Sequence, residues 1–218
     1  NDYDWTQVIS ASMEDSCIKY HNGTIFIAGS SGLYYSENGT AFIKVDGVGG
    51  LNGASMLFDN TMWIVAGYSG IYYSSNGTSW TNVTGVGNML GAALHYNGSL
   101  WVAAGGGGIY YSSNGTSWTN AGVGNMSYAA LHYNGSLWVA AGYSGIYYSS
   151  NGTSWTKVTG VGNMQGAALH YNGSHWVAAG WSGIYYSSNG TSWTKVSGID
   201  NMSYAALHYN GSLWVVAG

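Results

Sequence analysis

The sequence predicts an all-β fold, a β-propeller of four-stranded blades, and three observations carry that prediction. The first is a period. Trp80, Trp118, Trp155 and Trp193 are spaced by 38, 37 and 38 residues, and Phe42 and Trp5 extend the series backwards at 38 and 37. The Asn of "HYNG" recurs in step at Asn97, Asn134, Asn172 and Asn210, with Asn22 and Asn60 as degenerate earlier members. The second is content: Gly, Tyr, Trp, Val, Ser, Thr and Asn dominate, and no stretch shows the 3.6-residue apolar period of a helix. The third is punctuation. Short apolar runs alternate with tight Gly-, Asn- and Ser-rich connectors, as hairpins require.

One repeat shows the elements in order. Residues 129–159 contain "AALHY" (129–133), "LWVAAG" (137–142), "GIYYSS" (145–150) and "WTKV" (155–158), joined by "NGS", "YS" and "NGT". Four up-and-down strands in about 38 residues describe a propeller blade. A stacked β-solenoid is the alternative, but its coils usually run about 20–30 residues and need no Asn-Gly hairpins. Candidate first strands at 17–21, 54–58, 91–95, 129–133, 167–171 and 205–209 count six blades. Residues 1–218 therefore read as one propeller domain, with repeats at 17–53, 54–90, 91–128, 129–166, 167–204 and 205–218 plus 1–16.

The "YYS" strand occurs only five times, and the chain stops at "LWVVAG", before a sixth. The opening "DWTQV" matches the fourth strand "WTKV". The last blade is thus expected to take two strands from the C-terminus and one from the N-terminus, which protects the seam of the ring. One strand is still missing, so that blade is either thin or completed by a partner.

The string "IYYSSNGTSW" stands unchanged at 71–80, 109–118, 146–155 and 184–193. It resembles the Asp-box of bacterial neuraminidase repeats, Ser-x-Asp-x-Gly-x-Thr-Trp, and the order of "WVAAG", "GIYYSS", box and Trp is similar to that family's blades across nearly the whole chain. The resemblance implies a propeller, with the box in the turn between the third and fourth strands, away from the active face. It implies no particular activity. Asn76, Asn114, Asn151 and Asn189 stand near the Asp position, and the turn is one residue shorter. Only the turn-forming role carries over.

Composition excludes several functions. Four Lys, no Arg and a net charge of −4 leave nothing to neutralise nucleic-acid phosphates or to form a polybasic membrane patch. No apolar run approaches the roughly 18 residues of a membrane helix. Without an initiator Met or signal-like start, the chain is expected to be a processed or excised form. Cys17 is the lone cysteine, allows no intrachain disulfide, and is expected to be a small buried hydrophobe.

An enzyme is not expected. Sialidases of similar fold hold a carboxylate with three arginines, and this chain has none. Other glycosidases need two facing carboxylates. Seven of the eight acids (Asp2, Asp4, Glu14, Asp15, Glu37, Asp46, Asp59 and Asp200) lie in the first 60 residues, on termini and loops. Glu14, Asp15 and Asp46 are the nearest to a cluster, and they read as solvated. No Ser sits in a nucleophile-elbow setting. His95, His132, His170 and His208 fall at one place on four inner strands, as a partial ring. Such a ring suits a metal, but hydrogen bonds within each blade, with Phe58 as an apolar equivalent, account for it too. His175 is expected to be exposed at a strand start. No metal or cofactor is expected, and Trp101, Trp138, Trp176 and Trp214 are expected to fill the space between blades.

Topology sorts the loops. Strand 1–2 and 3–4 turns share one uniform face, while strand 2–3 turns and blade connectors share the other, which varies. After "AAG" or its equivalent stand Ser30, Tyr68, Gly106, Tyr143 and Trp181; after "NM" stand Leu90-Gly91, Ser127-Tyr128, Gln165-Gly166 and Ser203-Tyr204. Tyr68, Tyr143, Trp181, Tyr128, Gln165 and Tyr204 are the candidate ligand residues, since exposed rings beside small polar groups suit sugar faces and several weak sites gain by avidity. Packing between adjacent loops is the other explanation. Two functions follow: a multivalent, lectin-like module binding glycans or matrix components at an extracellular, virion or cell surface, or a self-assembling coat, sheath or fibre subunit bound to copies of itself.

Asn-x-Ser/Thr occurs at Asn22, Asn38, Asn76, Asn82, Asn97, Asn114, Asn125, Asn134, Asn151, Asn172, Asn189, Asn201 and Asn210. Most of these lie in 1–2 or 3–4 turns, where Asn-Gly is expected because both central residues of a tight hairpin take positive φ. In a secreted protein they are also candidate glycan acceptors.

Overall fold

The computed structural model describes residues 7–218. Its strands form five four-stranded antiparallel sheets and one two-stranded sheet, each a meander in chain order. Blade 1 comprises β1 (Cys17–His21), β2 (Thr24–Gly29), β3 (Gly32–Ser36) and β4 (Ile43–Lys44). Blade 2 comprises β5 (Ser55–Phe58), β6 (Trp63–Gly67), β7 (Gly70–Ser74) and β8 (Thr81–Asn82). Blade 3 comprises β9 (Ala93–Tyr96), β10 (Trp101–Gly105), β11 (Gly108–Ser112) and β12 (Thr119–Asn120). Blade 4 comprises β13 (Ala130–Tyr133), β14 (Trp138–Gly142), β15 (Gly145–Ser149) and β16 (Thr156–Lys157). Blade 5 comprises β17 (Ala168–Tyr171), β18 (Trp176–Gly180), β19 (Gly183–Ser187) and β20 (Thr194–Lys195). The partial blade 6 holds β21 (Ala206–Tyr209) and β22 (Trp214–Ala217).

The core lies between blades. Strand alternation sends Trp101 and Ala103 of β10 toward blade 2, and Val102 and Ala104 toward blade 4. β10, β14 and β18 thus each offer a large ring and a small residue to one neighbour and aliphatic groups to the other. Trp101, Trp138 and Trp176 are at most 2% exposed, as the sequence leads one to expect. Trp214 in the partial blade stays only half-buried.

Fourth strands are shorter than "WTKV" suggests. In β16 only Thr156 and Lys157 pair, opposite Tyr148 and Tyr147. Trp155 leaves the ladder because its Nε1 donates to the Gly152 carbonyl of the preceding turn at 3.0 Å, and Trp80, Trp118 and Trp193 do the same in their blades. Short outer strands leave little edge for foreign pairing.

The N-terminal closure expected from "DWTQV" falls largely on Asp4–Thr6, outside the described residues. Gln7 and Val8 carry no strand; from there the segment takes the course of a blade connector. Ser31 N–H donates to the Ser12 carbonyl in blade 1 as Ser69 N–H donates to that of Gly50 in blade 2.

The Asn-Gly turns work differently from the expectation. Only Asn22 pairs a positive φ of 46° with its glycine (86°), in the two-residue turn between β1 and β2. Asn38, Asn76, Asn97, Asn114, Asn134, Asn151, Asn172, Asn189 and Asn210 keep negative φ, and only the following glycine is left-handed. These asparagines act through their side chains. Asn76 Oδ1 accepts from the Thr78 and Ser79 N–H groups at 3.0 and 2.9 Å, while Ser74 Oγ accepts from those of Asn76 and Gly77. In the four-residue turn between β9 and β10, Asn97 Oδ1 accepts from Ser99 and Leu100. The side chain satisfies the turn amides, so a left-handed Asn is not needed.

Candidate functional site

Six first strands stand side by side around an axis, and the residue two places before each strand takes a left-handed backbone. These are Asp15, Gly53, Gly91, Tyr128, Gly166 and Tyr204, with φ of 48, 65, 62, 54, 69 and 53°. Carbonyls there accept from backbone N–H groups of the next blade: Asp15 from Ala54, Gly53 from Ala92, Gly91 from Ala129, Tyr128 from Ala167 and Gly166 from Ala205, at 2.7–3.1 Å. A methyl group at Gly53, Gly91 or Gly166 would overlap the backbone of the following blade. Glycine is the economical residue at such a position. Three blades nonetheless carry side chains there, two of them bulky, which L-residues adopt at a cost in strain.

Those three side chains meet at the mouth of the axis. Tyr128 and Tyr204 pack edge to face, with centroids 5.5 Å apart at 82°. With Asp15 and small residues from every other blade they line a cavity of about 260 Å³. Burial first, then the Tyr204 phenol and the Asp15 carboxylate, pushes the Tyr128 hydroxyl above its ordinary range, so it remains a hydrogen-bond donor at neutral pH.

A second cavity of about 210 Å³ adjoins the first through Gly166 and Tyr204, and Gln165, Trp181 and Ser203 complete it. Trp181 is 50% exposed at the tip of the turn between β18 and β19. Its backbone N–H donates to the Gln165 carbonyl at 3.2 Å, tying the turn to the connector. Of the six sequence candidates, Gln165, Trp181 and Tyr204 therefore share one cavity, and Tyr128 and Tyr204 share the axial one. Tyr68 and Tyr143, 53% and 48% exposed, stand apart on the turns of blades 2 and 4 and line neither. Asp15 is exposed, as expected of a solvated acid, and also lines the axial cavity; Ser203 lines the second cavity without being among the sequence candidates. Counting back by 37 or 38 residues from Tyr204 and Tyr128 through Gly91 and Gly53 reaches Asp15, so the repeat itself carried the signal.

The histidines form a column but not the network expected of them. Strand pairing sets Leu57 opposite Ile64 as His95 is set opposite Val102, so Leu57, not Phe58, is the equivalent in blade 2; Phe58 matches Tyr96. His95, His132 and His170 each meet the next blade's Trp138, Trp176 or Trp214 edge to face, at 5.3–5.5 Å, rather than a hydrogen-bond partner within the blade. Adjacent imidazoles lie about 6 Å apart: 5.9 Å for His95–His132 and 6.3 Å for His132–His170. Burial depresses His95, and burial with the flanking imidazoles lowers His132 to about 4. Among the described residues no three His, Cys, Asp or Glu side chains are placed to hold a metal. His175 is exposed before β18, as expected. Cys17 packs against the blade 1–2 core, and burial raises its thiol to about 11, where it stays protonated and unreactive.

No protein-family model matches this chain, and no curated protein does. Solved structures match at the level of fold. An ancestral GH74 enzyme superposes with a TM-score of 0.68 at 17% identity, over 95% of this chain and 35% of that one. BamB from Moraxella catarrhalis gives 0.63 at 11%, over 91% and 65%. The extracellular domain of a one-component system protein from B. thetaiotaomicron gives 0.65 at 11%, over 93% and 30%. The chain spans less than two thirds of the length of each of these. These likenesses support the propeller repeat.

Proposed function

We propose that this chain is a non-enzymatic, lectin-like propeller that binds glycans at an extracellular, virion or cell surface, through the connector face of blades 5 and 6. One observation carries the reading: the half-exposed Trp181 shares a cavity with Gln165, Ser203 and Tyr204. Indole and phenol faces stack on the C–H face of a pyranose, while the amide and hydroxyls bond its hydroxyl groups. Cavities of about 210 and 260 Å³ fall below the ~300 Å³ lower end for drug-sized ligands, and so suit one or two small rings. Among the described residues Asp15 is the single carboxylate lining them, whereas glycoside hydrolysis takes a pair. The uniform face keeps the turn-forming role implied by the Asp-box resemblance and carries ten of the thirteen candidate N-glycan sites; Asn125 and Asn201 lie on the connector face.

A glycan array probed with the 218-residue chain, with soluble-sugar competition, tests this. Binding to a defined set of glycans that free sugar displaces is expected; no binding across the array contradicts it. A second reading, a self-assembling structural subunit, is favoured by the apolar surface at the seam, where Ile18 is 64%, Tyr20 71% and Val215 59% exposed. Sedimentation that shows a monomer at high concentration would contradict that reading.

A further inference from the structure

We propose that the free edge of β22 is a strand-acceptor site whose occupant is a strand of the repeat's own third-strand sequence, Gly-Ile-Tyr-Tyr-Ser, laid antiparallel to it. Each of β2, β6, β10, β14 and β18 pairs on both edges; among the described residues β22 pairs only with β21. An edge left open in this way is a template for another strand.

The side chains say which strand. A groove of about 500 Å³ lies between blades 5 and 6, lined by Val177, Ile184, Tyr186, Val196, Trp214 and Val216. Their equivalents one blade earlier are Val139, Ile146, Tyr148, Val158, Trp176 and Ala178, and all pack in a single core cluster. What closes that cluster is Tyr185, 4% exposed, the first tyrosine of β19. Among the described residues blade 6 holds no strand that supplies it. The effect reaches blade 5: Ile146 is fully buried while Ile184 is only half-buried, and Tyr186 is 45% exposed.

Register follows from the same pair. In blade 5 Trp176 faces Ser187, Val177 faces Tyr186, Ala178 faces Tyr185 and Ala179 faces Ile184. β22 repeats this sequence with Val216 in place of the alanine, so Val216 faces the incoming first tyrosine and Ala217 the isoleucine. The turn that follows fits as well. Gly190 sits where a side chain would strike Leu137 and Trp176, so the incoming turn glycine seats over His175 and Trp214.

The test is a labelled synthetic peptide with the sequence of residues 183–194, titrated with the 218-residue chain and followed by anisotropy and by amide hydrogen exchange. Expected are saturable one-to-one binding, slowed exchange at 215–217, and at least tenfold weaker binding when the peptide's first tyrosine is serine. Because the change is made in the peptide, the folding of the chain is not at issue. Failure to saturate, equal binding of a scrambled peptide, or binding without protection at 215–217 would overturn the proposal. So would a dimer of the chain alone that protects those amides, since a second copy would then own the edge.

Discussion

Asn76 shows how little of its chemistry a turn residue needs. Its Oδ1 accepts two backbone amides, an acceptor role that a carboxylate fills equally well. Asp59 does so in blade 2, at the position of Asn97: burial pushes its carboxyl up, but bonds from Thr61 and Met62 outweigh burial and hold it below the usual range. Asn76→Asp is therefore expected to leave thermal stability nearly unchanged. Asn76→Ala removes the acceptor of both amides and is expected to cost about 1 kcal/mol in denaturant unfolding. The sequence made the turns legible but not their backbone, because a left-handed Asn and a side-chain cap both select Asn-Gly.

His132 gives a pH signature at the same scale. An unfolded histidine takes up a proton near 6.5, whereas folded His132 resists it until about 4. The unfolded state binds more protons across that window, so stability is retained above 6.5 and lost as pH falls toward 4. Melting temperature is expected to fall over that range, and His132→Leu, which installs the Leu57 side chain of blade 2, is expected to flatten part of the decline. A His132→Leu curve identical to that of the unchanged chain would contradict this cause.

At the scale of the element, the second strand is the anchor of each blade. Trp138 is 1% exposed and packs with Val102, Ala104 and Ile109 of the preceding blade. Trp138→Ala is expected to destabilise by about 3–5 kcal/mol in denaturant unfolding, whereas the same change at half-exposed Trp214 is expected to cost clearly less. Strand order and the first three strands of each blade were legible from the repeats alone. The fourth strand is shorter than its sequence suggests because Trp155 looks like a strand residue, yet its indole is recruited by the Gly152 carbonyl. Leu57 rather than Phe58 holds the histidine position in blade 2, which the sequence hides because the degenerate "LFDN" lacks the His that marks the register in "LHYN".

Among the described residues the whole molecule is a ring of five full blades and a partial sixth, uniform on one face and varied on the other. That asymmetry was legible in the sequence, since near-identical repeats differ chiefly at connectors and 2–3 turns. The convergence at blades 5 and 6 was not. It depends on Trp181, Gln165 and Tyr204, separated along the chain, being joined by ring geometry. None of the thirteen sequon asparagines is buried, and ten of them lie in the turns of the uniform face. Material from a glycosylating host is expected to exceed the 23.0 kDa of the chain in intact mass, and an unshifted mass would contradict glycan attachment.

The most direct measurement of the central claim is an equilibrium titration of the best array glycan into the unchanged chain, Trp181→Ala, Tyr204→Ala and Tyr68→Ala. Loss of one stacking ring is worth on the order of 1.4 kcal/mol. Affinity is expected to drop about tenfold for Trp181→Ala and Tyr204→Ala and to hold for Tyr68→Ala, which lines neither cavity. Unchanged affinity in the first two variants would contradict a glycan site on the connector face of blades 5 and 6.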